Sequence, residues 1–355
     1  MTMRRRAFTL TEVLLAMIVV GIVGAALTAA LFSFLNSYNQ TEDYTKAREE
    51  IESAFQVLSS QFSNVGLGMP NNTIARGSMG SFVAAFASHD DAPVGSVMSL
   101  MGGAGWGGPI TVTNGEITDS SKWVTTLADG CFSGKELYYA WSIPTGVLVS
   151  SDFGALMAKP KKIPDAALKD EIVYMSWISQ DIGYWGGDTL QLKKNLGGGL
   201  PSLVKTGGWL TFPSFGVPIW VKSNATEQTT AIVAPGALKN KNYLGGVLYG
   251  FEEVHHVRAA RLRVLSGDLV QELYEAPPQA KPSRQRVLAR GVAGAWFRFY
   301  PGERLLTLDL AVLGVHNDSR YASGKRPPGW PSSAPEIGDG RHRILVESMT
   351  WRIRN

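Results

Sequence analysis

The sequence predicts an α+β protein: one long N-terminal helix, transmembrane and then amphipathic, packed on a large, mainly antiparallel β head. Three observations carry that expectation. An uncharged apolar run of 23 residues, Val13 to Leu35, follows a basic N-terminus and contains no proline. Beyond it, apolar residues recur at helical spacing as far as Val65. From there to the C-terminus period two dominates, with no second long amphipathic stretch and no strand–helix alternation.

The apolar run is long enough to cross a hydrocarbon layer of roughly 30 Å as one helix. Arg4, Arg5 and Arg6 hold its N-terminal end on the cytoplasmic side. Glu12, placed directly before the run, is what an ordinary anchor does not need, because a carboxylate in lipid is costly unless it is interfacial or paired. A secretory signal peptide fits less well. Its apolar core runs about 7 to 15 residues and precedes the cleavage site. Gly21, Gly24, Ala25, Ala26, Ala29 and Ala30 make part of the rod thin, which lets helices approach closely.

After Asn36 the chain turns polar but keeps a helical rhythm. Ile51, Ala54, Phe55, Leu58, Phe62 and Val65 fall on one face, with Glu49, Glu50, Glu52, Gln56 and Ser59 largely off it. Gly66, Gly68 and Pro70 supply a stop. A helix from Phe8 to Val65 would be about 87 Å long at 1.5 Å per residue.

The 290 residues from Gly66 onward are enough for a sizeable core. Residues 66–110 hold ten glycines and read as long loops around short strands such as Ser81 to Ala85. Clearer strands follow at Leu137–Trp141, Ile172–Ile178, Asp188–Lys193, Glu253–Leu265, Leu306–Leu313 and Met349–Ile353. Gly- and Pro-rich breaks fall at Asn195–Gly208, Ala276–Ser283 and Tyr321–Gly340, and a sub-domain boundary near Ala231 is weakly indicated.

The order of basic run, small residue, Phe8-Thr9-Leu10-Thr11-Glu12 and unbroken apolar helix resembles a type IV prepilin leader of the class III kind. In that family a prepilin peptidase cuts before the phenylalanine and methylates the new amino terminus. The resemblance implies a leader at 1–7, a cut between Ala7 and Phe8, and N-methylation of Phe8. It also implies an assembly contact at Glu12, with the carboxylate partnering a neighbour's new amine. The residue before the cut is alanine, where the family most often has glycine; a small side chain is kept. The chain then divides into leader (1–7), transmembrane half-helix (8–35), amphipathic half-helix (36–65) and a periplasmic or extracellular β-rich, pilin-like head (66–355).

A second, more diffuse resemblance lies in Leu269–Tyr274, Val287–Tyr300 and Leu305–Val312. These look like the strand succession of PilW-type minor pilins and of J-type minor pseudopilins of type II secretion. It implies a non-enzymatic component of type IV pilus assembly, in an initiation or tip complex. Its location would be the inner membrane, single-pass with the head in the periplasm, before incorporation into a pilus or pseudopilus, reaching the cell surface. The implied partners are the prepilin peptidase, other minor pilins, the major pilin and an inner-membrane assembly platform. Two alternatives share the anchor: a minor pseudopilin of a type II secretion system, and an adhesive or ligand-binding tip module.

Chemistry outside the leader is sparse. No cofactor, metal or catalytic residue is expected. His255 and His256 are adjacent, so in a strand they face opposite ways and cannot easily share a metal. His89-Asp90-Asp91 lacks the spacing of a calcium loop. Cys131 is the single cysteine, which excludes an intrachain disulfide and a dithiol centre. The formal charge of +4 falls to +1 without the leader arginines, and the basic clusters at Lys159–Lys162, Arg258–Arg263, Arg341–Arg343 and Arg352–Arg354 have no aromatic-basic module beside them. Nucleic acid is therefore not an expected partner. Ten tryptophans, among them Trp106, Trp185, Trp209 and Trp330 in loop-like surroundings, read as core more than as subunit anchors.

Overall fold

The computed structural model describes residues 9–66, 97–104, 108–149, 172–175, 189–194, 209–212, 215–223, 230–233, 247–249, 253–274, 282–317, 326–338 and 340–353. One uninterrupted helix, α1 (Leu10–Phe62), is followed by a short α2 (Val97–Gly103) and fifteen strands. These are β1 (Ile110–Thr113), β2 (Phe132–Gly134), β3 (Glu136–Val149), β4 (Ile172–Met175), β5 (Thr189–Lys194), β6 (Trp209–Phe212), β7 (Phe215–Ser223) and β8 (Thr230–Val233). The series continues with β9 (Val247–Tyr249), β10 (Glu253–Leu265), β11 (Asp268–Tyr274), β12 (Arg284–Ala289), β13 (Val292–Tyr300), β14 (Leu305–Asn317) and β15 (His342–Arg352). Each described pairing is antiparallel. The fold is the expected one: a long apolar helix packed on a mainly antiparallel β head.

The two halves of α1 differ in burial as their sequences differ. The apolar half is long and hydrophobic enough to cross a membrane, and none of that window is buried in the chain. In the second half Ala47, Ile51, Ala54, Phe55, Leu58 and Phe62 are buried, and Val65 beyond the last turn is fully buried. This stripe packs chiefly on β12, β14 and β15. Phe55 and Phe62 meet Trp351 edge-on, with ring centroids 5.8 and 4.8 Å apart, and Phe62 meets Tyr139 at 5.1 Å. Such aromatic pairs add about 0.5–1.5 kcal/mol beyond the burial of their area. Helix termination also locks to the sheet, since the Gly66 N–H donates to the Ala140 carbonyl at 3.0 Å.

Among the described residues the β head has a two-stranded sheet, β4-β9, and three larger parts. A four-stranded sheet runs β15-β14-β13-β2. Beside it lies a body sheet made of β1, the first half of β3, the second half of β10, β11 and β12. The long strands β3 and β10 pair from Leu137 with Leu262 to Leu148 with Glu253 and extend past the body. There β3 pairs β5, β5 pairs β8, β8 pairs β7, β7 pairs β6 and β6 returns to β10. Because β10 is already paired with β3, these six strands close into a ring: a small antiparallel barrel. Pro144 sits at the junction, where β3 carries extra residues against the Val254–His255 step of β10. Proline cannot donate to a ladder and is tolerated at such a bulge.

Three differences from the sequence expectations stand out. The Gly-rich stretch includes α2, whose Met98 and Met101 are buried; Ser81 to Ala85 lies outside the described residues. A boundary near Ala231 would cut through β8, which is paired on both sides. The Tyr321–Gly340 insertion is more than a break: Trp330, expected as core, is buried along with Ala334, Trp296 and Ala311, next to Ile337, Ile344 and Val346. Gly294 makes room for this satellite, since a Cβ there would stand 2.9 Å from Ile337.

Candidate functional site

Ala7 and Phe8, the expected cleavage pair, lie outside the described residues. The helix opens at Thr9, an extended N-cap, and its first turn contains Glu12. Glu12 Oε2 accepts from the Thr9 N–H at 2.9 Å and from Thr9 Oγ1 at 3.0 Å, while the Glu12 N–H reaches Thr9 Oγ1 at 3.4 Å. That is a capping box, which satisfies orphan donors at a helix start reciprocally. Within one chain, therefore, the carboxylate is held by its own helix end and sits where the helix dipole favours negative charge. The spacing Thr9-x-x-Glu12 carries this signal in the sequence, beside the readings of the same carboxylate as a membrane charge and an assembly contact.

Further along α1, acidic and amide side chains hook the helix to the head. Asp43, 5% exposed, is the first. Its Oδ1 accepts from the backbone N–H of Val315 at 2.7 Å, from that of His316 at 2.9 Å, and contacts His316 Nδ1 at 2.9 Å. The β14–β15 ladder is interrupted between Leu313 and Asn317, which releases these backbone donors for Asp43 to take. Gly314 permits the approach: a Cβ there would stand 2.9 Å from Asp43 Cγ. Two turns on, Glu50 accepts from the Arg290 N–H at 2.9 Å. Ser59 Oγ accepts from Trp351 Nε1 at 2.8 Å, and Tyr139 Oη donates to Gln61 Oε1 at 2.6 Å, with Gln271 joining both partners. The helix is thus gripped from Asp43 to Gly66 by directional bonds as well as by apolar contact.

The body sheet carries a second polar cluster on the face away from α1. Arg261, 4% exposed, donates from Nε to Glu136 at 2.8 Å and lies 3.3 Å from Glu272 and 3.5 Å from Glu116. Arg263 donates to Glu272 at 2.6 Å, and Gln285 does so at 3.0 Å. Arg261, Arg263, Glu116, Glu272 and Gln285 line a cleft of about 360 Å³ that also takes in Tyr138 and Tyr274. Burial pushes the Glu136 carboxyl and the Tyr138 hydroxyl up, and the Arg261 guanidinium acts against both shifts. The charges are spent on one another, so Arg261 and Arg263 offer no free basic patch.

The remaining candidates resolve one by one. His255 Nδ1 lies 3.1 Å from Ser142 Oγ. His256 is 4% exposed and held neutral, its pKa lowered to about 4 by burial and secondarily by Arg258. Cys131 is buried, and burial raises its thiol above the usual range, the opposite of an activated nucleophile. Trp209 and Trp330 are buried; Trp106, Trp185, His89-Asp90-Asp91 and Lys159–Lys162 lie outside the described residues. Among the described residues no group of three His, Cys, Asp or Glu side chains could hold a metal ion.

Comparison with known proteins bears on the N-terminus alone. Residues 2–28 match the model of the prokaryotic N-terminal methylation motif. No curated protein and no solved structure matches the chain. The match covers 27 of the 355 residues. What it establishes is a prepilin-type methylation motif at the head of a membrane-length helix, which continues without a break into an α+β, pilin-like fold.

Proposed function

We propose that this chain is a minor pilin of the PilW type, a non-enzymatic subunit. It is cleaved between Ala7 and Phe8, methylated on Phe8, and held in the inner membrane by α1 until it joins a filament. The observation that carries the reading is the continuity of one helix from the methylation motif to the head. A freely exposed apolar half suits lateral packing with other such helices, and the gripped half keeps the head in fixed register with that rod. The head of 290 residues favours an end or occasional position over dense packing along a shaft. Its partners in this reading are the prepilin peptidase, the other minor pilins, the major pilin and the assembly platform. The head lies in the periplasm before incorporation.

In this account Glu12 leaves Thr9 to meet the methylated amine of a neighbour during assembly. Two substitutions separate that role from capping. Glu12→Gln keeps a side chain able to complete the capping box but removes the charge, whereas Glu12→Val removes both. Both variants are expected to insert and be cleaved normally, yet to lose most cross-linking to other minor pilins. Wild-type cross-linking by Glu12→Gln would make Glu12 a cap only and overturn the assembly role. A buried pair of this kind supplies register more than net stability, so monomer stability is not the readout.

A further inference from the structure

Burial of α1 begins close to the point where the apolar run ends. Leu35 closes that run, and Asn39 and Gln40, one turn further on, are already half-buried. At 1.5 Å per residue they lie about 6–8 Å beyond Leu35. The headgroup region of a bilayer adds about 5–8 Å on each side of the hydrocarbon. The first buried residues of the polar half-helix therefore stand at headgroup height.

One end of the four-stranded sheet comes down to this level. While α1 runs away from the apolar segment, β14 runs back toward it. Phe62 meets Trp351, which pairs with Leu306, whereas Asp43 holds Val315 and His316 at the other end of the same ladder. Asp43 stands about 12 Å past Leu35, so the gap from there down to the headgroups is one that an arginine side chain spans. The end of β14 and the start of β15, paired as Asn317 with His342, thus form a membrane-side edge of the head. Val315 is 57% exposed there although it is apolar. Arg341, His342 and Arg343 lead into β15, Arg341 is exposed, and no acid follows until Glu347. The α1 carboxylates at this height are engaged, Asp43 with Val315 and His316, and Glu42 with Lys46 at 2.5 Å. Tyr38, 60% exposed on α1, belongs to the residue types enriched at a membrane–water interface.

We propose that this edge of the head docks on anionic phospholipid headgroups of the bilayer that α1 crosses, in the leaflet from which the polar half-helix emerges. Arg341 and Arg343 take the lipid phosphates, an acceptor that the guanidinium fork matches. Tyr38 lies in the headgroup layer beside them, and the contact covers Val315. Docking fixes the tilt of α1, which the length of its apolar run leaves open. It rests on the part of the proposed function in which α1 spans the bilayer, and not on the filament role.

The test uses the full chain in nanodiscs of phosphatidylcholine alone and of phosphatidylcholine mixed with phosphatidylglycerol. In a Cys131→Ser background, single nitroxide labels are placed through Val315→Cys, Gly302→Cys and Ile22→Cys. Gly302 lies in the turn between β13 and β14, at the opposite end of the ladder, with open space around a Cβ. Ile22 lies inside the apolar run. Collision of each label with a water-soluble nickel reagent is then measured. With phosphatidylglycerol present, the Val315 label is expected to collide about threefold less often than the Gly302 label, and most of that shielding should vanish in phosphatidylcholine alone. Each arginine is expected to strengthen docking about fivefold. Arg341→Gln with Arg343→Gln should therefore abolish the response to phosphatidylglycerol, while Arg341→Lys with Arg343→Lys should keep it. Equal collision at Val315 and Gly302 in the anionic discs, with Ile22 shielded, overturns the dock alone. Shielding of Val315 that ignores both lipid charge and the arginines also overturns it, because the helix by itself would then account for the proximity. If the Ile22 label is open to nickel, α1 does not span, and the anchor fails together with the dock.

Discussion

Asp43 shows how a single residue sets the join between rod and head. A buried carboxylate costs free energy unless its lone pairs are used, and here one oxygen takes two backbone donors and faces an imidazole. Asp43→Ala would leave the N–H groups of Val315 and His316 without that partner, at about 1–3 kcal/mol for each donor left unsatisfied. Gly314→Ala attacks the same contact from the other side, and the required shift of strand or helix costs about 1–3 kcal/mol. Because both changes damage one contact, the double variant should lose less stability than the sum of the singles. Denaturant melts of the four proteins in detergent check this; full additivity would contradict the hook.

His256 gives a pH prediction with a definite sign. Its folded pKa, about 4, lies below the ordinary 6.5, so the unfolded chain binds the proton first. The neutral ring's contribution is complete above pH 6.5 and is lost as pH falls toward 4, by on the order of 3 kcal/mol in total. His256→Gln should flatten the wild type's stability loss across that interval. An unchanged slope in urea melts between pH 7 and 4 would show that another group dominates.

At the scale of elements, α1 was legible because helical period and hydropathy are both local signals. Its stripe from Ile51 to Val65 became the buried stripe, and Trp351, on a strand at the far end of the chain, closes over it. Trp351→Ala removes ring contacts with Phe55 and Phe62 and the donor to Ser59, and should cost about 3–5 kcal/mol. The melt should also show earlier exposure of α1 amides in hydrogen exchange than of β13 amides. Simultaneous exposure would mean the aromatic cluster is not what docks the helix.

The hooks and the polar cluster were not legible, and the reason is sequence distance. Asp43 meets partners 272 and 273 residues away, and Arg261 meets Glu136 across 125. No local pattern distinguishes such a residue from the exposed pairs Glu42–Lys46 and Arg48–Glu52, which are visible at spacing four. The barrel escaped for the same reason. Strands β5, β6 and β8 are short, and only the return of β6 to a strand that follows it in sequence makes a ring.

For the whole molecule, the parts form a rod with a bare apolar end and a gripped polar end, carried on a mainly antiparallel β head. That design makes sense if the N-terminus is processed, since cleavage creates the amine for which Glu12 is poised one helical turn away. The measurement that tests this most directly is the intact mass and N-terminal peptide of the protein extracted from its native membrane. The account predicts a chain that begins at Phe8 and carries one added methyl on that residue. A chain that begins at Met1, or one cut near Ala30 at the end of the apolar run, would contradict it.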